Sequence, residues 1–312
     1  MTVTKHRTGH SSGHPTGNTV ESHPVAERLL ASSARHSYDP EIDIDWDAPP
    51  DPDKFFMQPE RMSLYGTKLW DGLSREQQIE LSKHEVASIA SVGLWFEIIL
   101  MQILLRDVYT QDPRSPRTHY ALTEIADECR HSLMFGKAIG RMGIPAYGPR
   151  NLVGRLGKLY PHIAHGAAAY ASILIGEEPV DRWQRDMMKR DDIQPLTRMV
   201  SRIHVLEEAR HVTFARTELE LAVAKMSRAE RLIAQTLTAQ GAFVMMRSLV
   251  HPDVYKSVGI DPAQGRRAAL GNENYRATIA WMGEKVMPYL AEQGMVGGGH
   301  NRKAWRASFL LP

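Results

Sequence analysis

Cysteine, strong net charge and strand-like patterning are all scarce in this chain of 312 residues, and each scarcity excludes a class of protein. The single cysteine, Cys129, cannot form an internal disulfide, which excludes a disulfide-stabilised secreted scaffold. Basic residues number 38 and acidic residues 36, so the net charge of +2 gives no sign of a nucleic-acid-binding surface. The chain does contain 14 histidines. Any bound metal is therefore expected to have nitrogen and oxygen ligands.

The first residues contain no apolar core of signal-peptide length, so we expect a cytoplasmic protein. Residues 86–105 are almost continuously apolar and long enough to span a bilayer. Glu97 lies near the middle of this segment, where a carboxylate in a bilayer costs at least about 2.5 kcal/mol. We therefore interpret the segment as a buried helix that carries a functional carboxylate, and we expect no membrane association.

Long helical patterns joined by short breaks make up most of the chain, and no stretch alternates convincingly as a strand does. The predicted fold class is all-α, a helical bundle. Residues 1–45 are rich in Ser, Thr, His, Gly and Pro, which predicts a disordered N-terminal arm. Residues 46–312 are predicted to form a single helical domain. It comprises a metal-binding bundle over about 70–225 and additional C-terminal helices over about 228–293.

The predicted helices can be bounded from caps and breakers. They cover about 74–109, 119–142, 161–190, 195–226, 228–249 and 272–293. Pro179 is expected to kink or divide the third of them, because proline removes a helical hydrogen bond. The tail from Arg302 is basic and then apolar, and no element is predicted there.

Two Glu-x-x-His motifs lie 80 residues apart, Glu128 with His131 and Glu208 with His211. Residues three apart share a helix face, so each motif offers a carboxylate and an imidazole to one point. One such motif arises by chance often, and exposed surface pairs are the alternative. Two of them on separate long helices favour a dimetal site, which also needs a carboxylate from each of two further helices.

Glu97 and Glu177 meet that need. Glu97 is the only charged residue between Glu85 and Arg106, and Glu177 follows an apolar run. The order Glu, Glu-x-x-His, Glu, Glu-x-x-His is the ferritin-like dinuclear pattern. His204 precedes Glu208 by four residues and offers a third imidazole. The alternatives left open are an ion pair of Glu97 with an arginine, Glu178 in place of Glu177, and a capping or orienting role for His204.

The polar residues next to the two motifs are not predicted to bind metal. Asp127 and Glu124 are candidates to orient metal-bound imidazoles. Glu207 is expected to be solvated or to orient an imidazole in the same way. Arg130 and Arg210 each precede a motif histidine, and surface ion pairs suffice to explain both.

The sequence resembles the p-aminobenzoate N-oxygenase (AurF-type) diiron oxygenases over roughly residues 70–220. The residues that match the family's motif in order are Glu97, Glu128, His131, Glu177, His204, Glu208 and His211. The resemblance implies that these seven bind two metal ions, and the spacing from His204 favours Glu177 over Glu178. It also implies a homodimer. Four carboxylates and three imidazoles suit iron, although manganese or a mixed pair fits the same ligands.

The function that this resemblance implies is oxidation of an amine by dioxygen, to a hydroxylamine, nitroso or nitro product. The substrate is expected to be an arylamine or related primary amine. No glycine-rich nucleotide motif is present, so electrons must come from an external donor such as a ferredoxin or a reductase. The alternatives are a diiron oxidase acting on carbon, by hydroxylation or desaturation, and a non-catalytic metal-binding ferritin-like protein.

Overall fold

Helices dominate residues 22–311, the part of the chain that the computed structural model describes. These residues contain no β-strand, only an isolated bridge between Phe55 and Ile193. The predicted all-α fold class is therefore confirmed. The α-helices are α1 (Pro24–Arg35), α2 (Pro40–Asp43), α3 (Lys68–Asp71), α4 (Arg75–Val108), α5 (Pro116–Arg141), α6 (Asn151–Ile163), α7 (Ala167–Met187), α8 (Pro195–Lys225), α9 (Arg228–Ser248), α10 (Pro262–Gly271), α11 (Glu273–Met282), α12 (Val286–Glu292) and α13 (Arg302–Ser308).

Local sequence explains where the long helices begin. Ser74 caps α4 by accepting from the backbone N–H of Gln77, whose side chain accepts from the backbone of Ser74 in return. Ser227 and Glu230 repeat this reciprocal arrangement at α9. Such pairs satisfy backbone donors that have no partner within the helix. Pro195 occupies the first turn of α8, where its missing N–H costs nothing. The predicted starts near 74, 195 and 228 are confirmed.

Two predicted helices are divided differently from the prediction. The one at 161–190 combines the end of α6 with α7, which are separated at Gly166, a residue with φ +50°. Helix α7 then continues through Pro179 without division. The one at 272–293 is interrupted after Met282 and yields α11 and α12. Apolar residues continue across the first break, so hydrophobic periodicity alone did not mark it.

The prediction of a disordered arm over 1–45 is wrong for its described part, residues 22–45, where α1 and α2 form. His23 starts α1 by accepting from the backbone of Ala26, and its Nε2 lies 2.9 Å from Oε1 of Glu218. Ala26 and Leu29 are buried where α1 packs against α5 and α8. This burial offsets the entropy of ordering the segment. Three other histidines of the predicted arm, His6, His10 and His14, lie outside the described residues.

Helices α4, α5, α7 and α8 form the central bundle. Helix α4 packs along α5 and α7 along α8, and contacts of α5 with α8 and of α4 with α7 close it. Helix α9 covers α7, and α13 covers α9. One buried apolar cluster includes residues from Ala26 to Leu310, so the C-terminal helices share the core of the bundle. The bundle interior is where the predicted ligands meet.

Helix α4 is the one helix of residues 22–311 that is long and apolar enough to cross a membrane, judged by length and composition alone. Half of its most apolar stretch is buried within the protein. Glu97 lies in that stretch and is only 2% exposed. Helix α4 thus supplies one wall of the bundle interior.

Candidate metal centre

Each of the four bundle helices contributes to one buried cluster of titratable side chains. Helix α4 carries Glu97, and α7 carries Glu177. Helices α5 and α8 carry the two Glu-x-x-His motifs, and α8 adds His204. The structure brings all the predicted ligand residues together in overlapping groups whose nitrogen and oxygen atoms lie within 4.8 Å of one another. They are Glu97, Glu128, His131, Glu177, His204, Glu208 and His211.

Glu128 and Glu208 occupy the centre of this cluster and face both motif histidines. Nδ1 of His131 lies 2.9 Å from Oε2 of Glu128 and 3.3 Å from Oε1 of Glu208. Nδ1 of His211 lies 2.9 Å from Oε1 of Glu128 and 3.0 Å from Oε1 of Glu208. Each carboxylate is thus shared between two imidazoles, an arrangement suited to bridging two cations.

His204 lies at the side of the cluster nearest Glu97. Its Nε2 is 3.5 Å from Oε1 of Glu97 and 3.6 Å from Oε1 of Glu208. Glu177 forms a group with His204 and Glu208, and another with Glu97 and Glu128. Glu178, the sequence alternative to Glu177, instead pairs with Arg216 at 2.6 Å. Of the two adjacent glutamates, only Glu177 belongs to the cluster.

The outward nitrogen of each histidine has an acceptor, which leaves the inward nitrogen free to bind a cation. Nε2 of His131 lies 2.9 Å from Oε2 of Glu207, and Nε2 of His211 lies 3.2 Å from Oδ2 of Asp127. A carboxylate can only accept, so with a cation bound at Nδ1 these contacts would hold the remaining proton on Nε2 and direct the lone pair of Nδ1 inward. Such outer partners orient the imidazoles of metal sites.

His204 is held in the opposite sense. Its Nδ1 donates to Oε1 of Gln184 at 2.7 Å, so Nε2 is the nitrogen that faces Glu97. Sequence analysis missed Gln184. The available signal was its place seven residues after Glu177 on α7, which puts both side chains on one face of the helix.

The predicted roles of the neighbouring residues are partly corrected. Asp127 and Glu207 both orient imidazoles, whereas the carboxylate oxygens of Glu124 have no hydrogen-bond partner among the described residues. Arg210 is buried, contrary to the expected surface ion pair. Its Nη2 lies 3.5 Å from Oδ2 of Asp127 and 3.4 Å from Oε1 of Glu207, so one guanidinium joins the partners of two histidines. Arg130 is partly exposed and pairs with Asp127.

Without a cation, the carboxyl groups of the cluster have strongly shifted pKa values. Burial, followed by repulsion from neighbouring carboxylates, raises the pKa of Glu97 and of Glu177 well above the usual range. Burial also opposes ionisation of Glu208, but the imidazoles of His211 and His204 outweigh it and hold its pKa well below the usual range. One oxygen on each of these three glutamates has no hydrogen-bond partner within residues 22–311. Unpaired oxygens converging in a dry interior are satisfied by a cation.

The spacing of the donor atoms also fits a metal. Two ligand atoms, each about 2.1 Å from an ion and at right angles, lie about 3.0 Å apart. The imidazole nitrogens and carboxylate oxygens here are separated by 2.9 to 3.6 Å. Cys129 faces outward and adds no sulfur to the cluster. The buried His and Glu residues are therefore compatible with a metal site built from nitrogen and oxygen.

A small cavity, here called the inner chamber, adjoins this cluster on the side of Glu97, Glu177 and His204. Its volume is about 50 Å³, room for a few water molecules. Apart from those three groups its walls are largely apolar, with Phe135 and Met245 among them. The chamber therefore places a small, mainly apolar space directly beside the candidate ligands.

Comparison with known proteins agrees with this geometry. The family model described as "P-aminobenzoate N-oxygenase AurF" matches residues 19–294. The uncharacterized proteins Mb0909 of Mycobacterium bovis and Rv0885 of Mycobacterium tuberculosis are each 32% identical over 210 residues. These matches cover 65% of this chain and 62% of either relative, so the chain spans less than two thirds of their length. Because the family model covers most of the chain, the protein belongs to the p-aminobenzoate N-oxygenase AurF family, whose members are ferritin-like helical bundles.

Proposed function

We propose that this protein is a dioxygen-dependent diiron oxygenase that oxidises the nitrogen of a small amine. The observation that carries the proposal is the orientation of the three histidines. Each has its outward nitrogen occupied by Glu207, Asp127 or Gln184, and its inward nitrogen turned toward buried carboxylates. Because each outward nitrogen already has an acceptor, a cation bound between the inward nitrogens and the carboxylates would leave no imidazole N–H without a partner. Membership of the AurF family supports the same chemistry.

The ligands of the two ions would be the seven residues of the cluster. Glu128 and Glu208 are suited to contact both ions, because each faces His131 and His211. Four carboxylates neutralise two divalent cations, which lowers the cost of burying the reduced centre. Nitrogen and oxygen donors suit iron, and they suit manganese as well. Iron is proposed on the strength of the family.

A pair of ferrous ions, when bound, supplies two electrons for the reduction of dioxygen. The proposed reaction consumes one amine, one dioxygen molecule, two electrons and two protons, and yields a hydroxylamine and water. Further turnovers need electrons from an external donor, for which a ferredoxin or reductase is proposed. The chain itself contributes orientation and exclusion of water. Glu207, Asp127 and Gln184 hold the imidazoles, and the apolar walls of the inner chamber keep bulk water from the reacting nitrogen.

Oxidation of carbon is the second candidate, because the apolar walls beside the candidate ligands would suit a methyl or methylene group as well as an amine nitrogen. Hydroxylation and desaturation need the same electrons and dioxygen, so the scaffold does not separate them from N-oxygenation. Metal storage without an organic substrate is the third candidate. Product analysis distinguishes all three.

The test is anaerobic loading with Fe²⁺, followed by metal analysis, exposure to ¹⁸O₂ and mass spectrometry of the products from an arylamine. We expect two irons per chain and one ¹⁸O atom bound to the amine nitrogen. Product labelled only on carbon, or unlabelled product that has lost two hydrogen atoms, would establish the second candidate. Iron oxidation with every organic compound unchanged would establish the third.

Glu128→Ala provides the structural control for this experiment. Loss of iron with unchanged helical circular dichroism is expected, because Glu128 faces both histidines. The exposed Glu292→Gln variant should keep both irons. Full iron content in Glu128→Ala would refute the ligand assignment.

A further inference from the structure

A second cavity, here called the outer chamber, lies between α4, α6, α7 and α9. Its volume is about 200 Å³, four times that of the inner chamber. A dry apolar cavity of about 150 Å³ is large enough to bind benzene. The outer chamber can therefore hold an aromatic ring or a short alkyl chain, whereas the inner chamber cannot.

The two chambers share a wall. Phe96 and Met245 line both of them. Phe96 directly precedes Glu97, and its ring lies against the backbone of α7 at Gly176, the residue before Glu177. A Cβ built on Gly176 would lie only 1.9 Å from Cζ of Phe96, so the ring occupies this place because residue 176 is glycine. A phenyl ring and a flexible thioether therefore lie between the two chambers.

The outer chamber offers no charge to a bound molecule. Its lining includes Trp95, Ile99, Ile173, Leu237 and Val244, and none of its lining residues in the described part of the chain is Asp, Glu, Lys, Arg or His. Its hydroxyl groups are already engaged, since Tyr160 Oη lies 2.5 Å from Ser172 Oγ and Ser172 also donates to the carbonyl of Ala168. An anionic group placed here would lose hydration and meet no cation, only the neutral amide of the exposed Gln240.

The inner chamber is no better suited to an anion. Its charged lining groups are the carboxylates of Glu97 and Glu177 together with His204, and within residues 22–311 no lysine or arginine lines it. Glu97 and Glu177 would serve as metal ligands, so the chamber offers a carboxylate on the substrate no cationic side chain. The aminobenzoate anion in the family's name therefore has no lysine or arginine partner in either chamber of this protein.

Helix α6 forms the outer edge of the outer chamber. Leu156, Leu159 and Ile163 line it and are each about half exposed, which places an apolar rim at the surface. Among the residues of α6 only Gly157 and Pro161 are buried. A Cβ on Gly157 would lie 2.2 Å from Cζ2 of Trp95, so α6 rests on this indole. An apolar molecule has a short path from this rim to Phe96.

We propose that the outer chamber binds the uncharged, apolar body of the amine substrate, whose nitrogen reaches the inner chamber past Phe96 and Met245. The substrate class is an aryl or alkyl amine without an acidic group, so p-aminobenzoate is excluded. The amine head group of the substrate rests on the proposed N-oxygenation. The apolar character of the rest of the substrate rests only on the two chambers.

Calorimetric titration of the full-length protein tests the binding step without turnover. The probes are 4-propylaniline, its amine-free analogue propylbenzene, and 4-aminobenzoate. We expect both propyl compounds to bind and 4-aminobenzoate to bind at least about tenfold more weakly, a difference of about 1.4 kcal/mol. Equal or tighter binding of 4-aminobenzoate would overturn the proposal.

A substitution that fills the outer chamber with a larger side chain tests whether 4-propylaniline binds there. Val244→Phe should weaken binding of 4-propylaniline about tenfold, because the added ring occupies the outer chamber. Ile233→Phe is the matched control on the same helix, since residue 233 is 60% exposed and does not line the chamber. Leu237→Phe is a second filling variant in case Val244→Phe does not fold. Unchanged binding in a folded filling variant would overturn the proposal.

Activity of the iron-loaded enzyme separates the two proposals. Oxidation of the nitrogen of 4-propylaniline in preference to 4-aminobenzoate supports both. If the propyl compounds bind in the outer chamber and only carbon is oxidised, the chamber assignment stands and the N-oxygenase proposal fails. If 4-aminobenzoate is the preferred N-oxygenation substrate, the N-oxygenase proposal stands and the chamber assignment fails.

Discussion

Gln184 accepts a hydrogen bond from Nδ1 of His204 at 2.7 Å, and this contact decides which nitrogen of the imidazole faces Glu97. An amide can hold the imidazole without adding a charge to a site that already contains four carboxylates. At His131 and His211 the outward nitrogen is instead Nε2, and it meets the carboxylates of Glu207 and Asp127, which both contact Arg210. The third histidine is thus oriented by a neutral group.

Gln184→Leu removes the acceptor while keeping the size of the side chain. We expect the affinity for one of the two irons to fall about 10- to 100-fold, because a misoriented His204 is a poorer ligand. Gln184→Glu restores an acceptor and should recover most of the affinity. Metal titration of the three proteins measures this, and identical affinities would show that Gln184 does not position His204.

Arg210→Met leaves two buried carboxylates, Asp127 and Glu207, without their shared partner. Removing one member of a buried ion network costs about 3 to 5 kcal/mol of unfolding free energy. Arg202 lies on the same helix and is exposed, so Arg202→Met should change stability by less than about 0.5 kcal/mol. Urea unfolding of the metal-free proteins compares the two, and equal stabilities would contradict the bridging role of Arg210.

Gly176→Ala introduces a methyl group where Phe96 already lies. We expect a loss of about 1 to 3 kcal/mol of unfolding free energy from overpacking. Phe96→Leu should recover much of this loss in the double variant, since the clash involves the far end of the ring. Gly140→Ala is the control, because no atom lies within 4 Å of a Cβ built there. Additive effects of the two substitutions would contradict the contact.

Glu85 provides a pH-dependent prediction away from the metal site. Burial raises the pKa of this carboxyl to about 7, against the opposing effect of hydrogen bonds from Ser63. The folded protein therefore holds this proton more tightly than the unfolded chain does. The resulting stability is fully present below about pH 4.5 and is lost as the pH rises through about 7.

Glu85→Gln mimics the protonated form at every pH. Between pH 4.5 and pH 8 the wild-type protein should lose about 3 kcal/mol of unfolding free energy relative to this variant. Glu292→Gln, at an exposed position, should follow the wild-type protein throughout. Parallel pH profiles for wild type and Glu85→Gln would show that Glu85 titrates as an ordinary carboxyl.

The sequence was most informative where a charged residue lies within an otherwise apolar segment. Glu97 could be singled out because it is the lone charge in a long apolar stretch, and the two Glu-x-x-His motifs because of their helical spacing. Gln184 could not be found in this way, since a neutral amide near an apolar face gives no such contrast. Arg210 was misread because its position next to His211 does not reveal that two carboxylates from different helices meet it.

Helix limits were predictable where a cap or proline marks them, as at Ser74 and Pro195. They were not predictable where the break depends on backbone conformation. The helices α6 and α7 are separated at Gly166, which has a positive φ, and apolar residues occur on both sides of it, so the prediction merges the two. The helix α1 was missed for another reason: its buried face is short, and it is stabilised by distant residues such as Glu218.

Cys129 is the only cysteine of the sequence and can therefore be labelled specifically. It directly follows Glu128 on α5, yet its side chain is exposed while that of Glu128 points into the cluster. A nitroxide attached to the only thiol in the sequence would therefore sit at one defined place on the exposed side of a ligand-bearing helix. Its relaxation rate would report paramagnetic ions in the interior without any substitution in the protein.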